Sequence, residues 1–155
     1  MEFRKQQLKY HLLLFVIILT MDIFGDYVYE GTGGFMRNFS YPYILNWSVF
    51  YIAFYVVYFV NYLILSPRTL PKKKVFQFAV GVLLLIFTYA GIRYFLEEIV
   101  VFNITGIHNY AEVSRRFGYY IFDNSYYALK AILFSTALFL FFEYVENQTK
   151  MHSLQ

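Results

Sequence analysis

Four apolar stretches separated by polar ones organise this chain. The first runs from Tyr10 to Met21 and on to about Tyr29, and the last is centred on Ala131 to Phe142. Between them, Tyr43 to Leu65 and Val75 to Ile92 contain no charged side chain. About 20 predominantly apolar residues cross a bilayer core as a helix. The pattern therefore predicts an all-α membrane protein, a four-transmembrane-helix bundle forming a single domain over residues 1–155, with helices over 10–29, 42–65, 75–98 and 120–146 and an outer loop over 99–119.

The polar stretches decide the threading. Pro67-Arg68-Thr69-Leu70-Pro71-Lys72-Lys73-Lys74 separates the two longest apolar runs, and its prolines and basic side chains predict a tight turn outside the hydrocarbon. Short loops rich in Lys and Arg stay on the cytoplasmic side. Both termini then fall in the cytoplasm, while the segment holding Gly31, Gly33 and Gly34 and the long polar region from Glu97 to Phe117 lie outside. The start of the chain, with Arg4, Lys5 and Lys9 against Glu2, resembles a signal peptide, but no small-residue cleavage pattern follows Thr20. An uncleaved first helix is expected. Gly31-Thr32-Gly33-Gly34 lacks a following Lys-Ser/Thr and a preceding strand, so it reads as a turn and not as a phosphate cradle. The third helix is expected to run past the bilayer until Asn103-Ile104-Thr105-Gly106 breaks it. Asn46 and Asn61, near the ends of the second helix, are expected to bond neighbouring helices.

Composition agrees with this picture. Of all residues 59% are hydrophobic, 24% aromatic and only 15% charged, outside the soluble range and in keeping with a lipid bilayer as surroundings. Of the 13 Lys and Arg, eight fall in segments assigned to the cytoplasm, so the net charge of +3 reports topology and not nucleic-acid binding. The chain has no Cys, hence no disulfide, thiolate site or cysteine nucleophile. His11, His108 and His152 fall on different predicted levels, and no metal-binding spacing joins them. No catalytic set, metal site or cofactor is expected, and the chain reads as no enzyme. The Asn-x-Ser/Thr triplets at Asn38, Asn46, Asn103 and Asn147 carry no weight.

Two groups of charged residues are more informative. Asp22 lies seven residues inside Tyr29, and Lys130 seven residues inside Asp123, where about 20 residues counted back from Phe142 put the outer edge of the fourth span, so each is at about 10 Å depth. Charges in hydrocarbon face the bundle interior and pair, which makes Asp22 and Lys130 candidates for an intramembrane ion pair. In the alternative, Lys130 snorkels outward and Asp22 is protonated or hydrated. At the outer rim, Arg93 and Glu97 share a helical face, joined by Glu98. With Asp26, His108, Arg115, Arg116 and Asp123 they read either as a solvated cap holding helices three and four in register or as a polar site for a ligand or envelope signal. The second reading selects Arg93, Glu97, Glu98, His108, Asn109, Tyr110 and Asp123 as the contact set.

Five strings in order add a family resemblance. They are Asn61-Tyr62-Leu63-Ile64-Leu65-Ser66-Pro67-Arg68, Lys72-Lys73-Lys74, Arg93-Tyr94-Phe95-Leu96-Glu97, Gly106-Ile107-His108-Asn109-Tyr110, and Tyr119-Tyr120-Ile121-Phe122-Asp123-Asn124-Ser125-Tyr126-Tyr127-Ala128. From about Asn61 to Asn147 the chain resembles the N-terminal membrane region of LytS-like sensor histidine kinases of the Bacteroidetes type. The resemblance implies four transmembrane helices, a homodimer in the bacterial inner membrane, and a cytoplasmic kinase region partnered by a LytTR-type response regulator. In that family the fourth helix leads into a Pro-His-Phe-x-x-Asn motif and a Gly-rich ATP-binding domain. The sequence ends at Gln155 with neither, and Met151-His152-Ser153-Leu154 does not match, so no phosphotransfer is expected on these residues. The expected function is a membrane signal-input module acting through helix four, either as the sensor part of a longer kinase or as a freestanding relative. A small dimeric transporter or a partner-binding membrane protein is the alternative.

Overall fold

The computed structural model describes residues 5–152. Glu2, Arg4 and the termini, on which part of the expected cytoplasmic placement rests, lie outside the described residues. Among the described residues there is no strand. The elements are α1 (Lys5–Asn38), α2 (Tyr43–Val60), a π-helical segment (Asn61–Leu65), α3 (Ser66–Thr69), α4 (Val75–Arg93), a second π-helical segment (Tyr94–Val101), α5 (Phe102–Thr105) and α6 (Phe117–His152). Abutting elements join into longer rods, giving, among the described residues, four helices long and apolar enough to cross a membrane: Gln7–Asn38, Tyr43–Thr69, Val75–Thr105 and Phe117–His152. Large apolar side chains such as Leu83, Leu84 and Phe87 on α4 and Phe122, Tyr126 and Leu133 on α6 stay exposed. Surfaces this apolar need a lipid or protein environment, and the four helices are compatible with a multi-pass membrane protein.

The chain divides into two compact units, one up to Trp47 and one from Ser48 onward. In the first, α1 does not end near Tyr29. Only Gly31 leaves helical geometry, at φ +69°, and helix resumes as far as Asn38. A positive φ is inexpensive for glycine alone, so the glycine-bearing segment makes a kink where a loop was expected. Polar contacts hold the extension: Asn38 Nδ2 donates to Asp26 Oδ2 at 2.9 Å, and Arg37 pairs with Glu30 at 2.6 Å. Beside them Tyr27, Phe35, Phe39 and Trp47 form a run of ring contacts with centroids 5.2 to 6.2 Å apart. The buried Asn46 amide oxygen has no hydrogen-bond partner among the described residues, contrary to the bonding expected of it.

In the second unit the basic turn is shorter than the two prolines suggest. Pro67 sits inside the helical rod, at the start of α3. The reason lies just upstream, where the Ser66 N–H reaches back to the Asn61 carbonyl, five residues away. This wider π turn loosens the backbone ladder where the prolyl ring brings no N–H and would crowd a normal α turn. The rod ends at Thr69, and the turn that follows it closes at Lys73, whose φ is +52°. Lys74 N–H bonds the Thr69 carbonyl and Lys73 N–H the Leu70 carbonyl, both at 3.0 Å, which is a Schellman end with lysine where glycine is usual.

α6 packs along α4 and along the first π-helical segment. Asn61, fully buried, donates to Ser135 Oγ at 2.7 Å, to Thr136 Oγ1 at 2.8 Å and to the Ile132 carbonyl at 3.2 Å. Tyr62, Phe139 and Phe142 form an apolar cluster beside it, with Leu70 and Leu138 at its edge. This pins the basic-turn end of the pair. The opposite end carries the candidate site.

Candidate functional site

The site is built where the rod that starts at Val75 changes register. From Tyr94 to Val101 the backbone is π-helical, and the rod ends at Gly106, which takes φ +71° and donates its N–H to the Phe102 carbonyl at 2.7 Å. A π turn places residues differently from the 100° steps of an α-helix, and such segments often occur at functional sites. Here Arg93, Glu97 and Glu98 are all buried. Gly106 turns the chain back, so that the loop brings His108, Asn109 and Tyr110 over the two glutamates.

Arg93 lies at the centre. Its Nε donates to Glu97 Oε1 at 2.6 Å and its Nη2 lies 2.5 Å from the same oxygen, with Arg93 only 5% exposed and Glu97 fully buried. Nη1 donates to Asn124 Oδ1 on α6 at 2.9 Å and, more weakly, to the Tyr110 hydroxyl at 3.4 Å. The guanidinium also stands 5.5 Å from the Phe50 ring and 5.7 Å from the Tyr110 ring. A buried charge persists only when paired and hydrogen-bonded; Arg93 is both.

The loop satisfies the remaining carboxylate oxygens. Asn109 Nδ2 donates to Glu97 Oε2 at 2.8 Å, His108 Nδ1 stands 2.6 Å from Glu98 Oε2, and the Tyr110 N–H reaches Glu98 Oε1 at 3.4 Å. The His108 ring stacks on Phe102 with centroids 3.9 Å apart. Tyr110 donates its hydroxyl to Asp123 Oδ2 on α6 at 2.5 Å. Burial pushes the Tyr110 phenol above its ordinary range, against the pull of Arg93, so the hydroxyl keeps its proton and remains a donor.

The structure thus brings Arg93, Glu97, Glu98, His108, Asn109, Tyr110 and Asp123 into one hydrogen-bonded network. Sequence reasoning missed Asn124 and Tyr120. Asn124 is fully buried and bridges Arg93 to the Tyr120 carbonyl, to which it donates at 2.8 Å. The Tyr120 ring packs against Tyr94 and Tyr110, with centroids 5.7 and 4.9 Å away. An amide beside an aspartate within an aromatic run was the available signal. Among the described residues neither Arg115 nor Arg116 makes an ion pair. Asp26 bonds Asn38 in the first unit, on α1, which also carries Asp22; Lys130 lies on α6.

The three histidines lie on separate elements, His11 on α1, His108 in the loop and His152 on α6. Among the described residues no cluster of His, Asp and Glu is arranged to hold a metal ion. One guanidinium, three carboxyl groups, an imidazole and a phenol connect the rod that starts at Val75, the loop and α6. Comparison with protein-family models, with curated proteins and with solved structures gives no match.

Proposed function

We propose that this chain is the membrane signal-input module of a two-component sensor histidine kinase of the LytS-like type, working as a homodimer in the bacterial inner membrane. The observation that carries the reading is the double attachment of α6. Tyr110 from the loop reaches it at Asp123, and Arg93 from α4 reaches it at Asn124. A ligand contacting His108, Asn109 or Tyr110 competes for hydrogen bonds that otherwise hold α6. It shifts the packing equilibrium only through its differential affinity for two states. Helix α6 then carries the shift toward a cytoplasmic kinase region and a LytTR-type response regulator. In this reading Asp22 and Lys130, both half-buried, act as an intramembrane staple.

The test is a transcriptional reporter driven by the response regulator in cells carrying the full-length protein. Tyr110→Phe removes only the hydroxyl that bonds Asp123, and it should shift the signal response at unchanged protein level. Alanine at Arg93, Glu97 and Asp123 should abolish it. Unchanged output in all four variants would reduce the cluster to a structural cap. The staple has its own test in a double-mutant cycle on thermal stability, where strictly additive losses for Asp22→Ala and Lys130→Ala would exclude the pair.

A further inference from the structure

A cavity of about 430 Å³ lies beside the network, within the size range of small-ligand sites. Phe87, Gly91 and Tyr94 wall it from the α4 rod, Phe117 and Tyr120 from α6, and Arg115 from the loop. Phe87, Tyr94 and Phe117 remain exposed on helices apolar enough to cross a membrane, so the neighbourhood of the cavity favours apolar chains. Two of its polar groups lack partners among the described residues. Tyr120 is only 3% exposed, and its hydroxyl has no hydrogen-bond partner among the described residues. The Arg115 Nε is likewise buried without a partner, and no carboxylate among the described residues pairs with that guanidinium. Buried polar groups left unpaired are costly. A guanidinium prefers a planar anionic oxygen group.

We propose that this cavity binds an acidic amphiphile, with an acyl chain between the α4 rod and α6 and an anionic head on Arg115, the Tyr120 hydroxyl lying within the same wall. Two sources share that chemistry, a free long-chain fatty acid and an anionic phospholipid of the bilayer. The proposal stands whether or not the chain signals. Tyr120 touches both Tyr94 and Tyr110, so an occupant lies one ring away from the network.

Equilibrium binding of radiolabelled oleate to the full chain in phosphatidylcholine nanodiscs tests the proposal, with oleyl alcohol as the uncharged control and thermal unfolding as the check on each variant. Saturable binding of one oleate per chain is expected, and Arg115→Gln should weaken it roughly tenfold or more while leaving oleyl alcohol unchanged. A Cβ at Gly91 meets nothing within 4 Å, so Gly91→Leu extends into open space and should block the site without displacing its walls. Competition by phosphatidylglycerol built into the discs assigns the site to bilayer phospholipid, and its absence assigns it to free fatty acid. Partitioning without saturation, or wild-type oleate affinity in either folded variant, overturns the proposal.

Discussion

Arg93 and Glu97 carry the largest single-residue effects. The pair is buried, and removing one partner leaves the other charged in a site that excludes water. Arg93→Met or Glu97→Gln alone should each cost about 3 to 5 kcal/mol of stability, measured by thermal or denaturant unfolding in detergent. The double variant should cost clearly less than the sum, since no orphaned charge remains. Lys73 acts in the opposite direction. Its φ of +52° is strained for any side chain, so Lys73→Gly should raise stability by about 1 kcal/mol. Lost stability there would mean that the lysine side chain has a role outweighing its backbone strain. Asn61 sits fully buried with three acceptors on α6, and Asn61→Leu should cost about 1 to 3 kcal/mol by leaving Ser135 and Thr136 without their donor.

At the scale of elements, the two π-helical segments set the register of everything that follows them. Gly106 completes the second by turning the chain back with φ +71°. Gly106→Ala should cost about 1 kcal/mol and speed hydrogen exchange over His108 to Tyr110 more than along α6. Uniform change across the chain would show that the loop is not a separately hinged piece. The apolar runs made the rods legible in sequence, and the mixed charges around Arg93 and Glu97 made the grouping of the polar residues legible, because both are patterns of residue type. The π turns left no such mark. Without the first of them Pro67 is assigned wrongly, as the start of a turn, whereas the end of the third helix at Thr105 was legible in Asn103-Ile104-Thr105-Gly106. Asn124 was hidden for a related reason. Its value depends on which face of α6 meets Arg93, and the α6 pattern, aromatic nearly all round, does not reveal a face.

At the scale of the whole molecule, the functional reading requires the polar network and the basic turn to lie on opposite sides of one membrane. The chain contains no cysteine, so a single introduced thiol is the only one present. Val113 in the polar loop and Lys73 in the basic turn are both exposed and outside the four candidate spans. Neither makes a contact in the network. Labelling of Val113→Cys and Lys73→Cys in intact cells with a membrane-impermeant maleimide is therefore the most direct measurement. Val113→Cys is expected to label at once, while Lys73→Cys labels only after the membrane is permeabilised. Labelling of both from the same side, or of Lys73→Cys alone, would contradict the threading and with it the placement of the network as a receiver of outside signals.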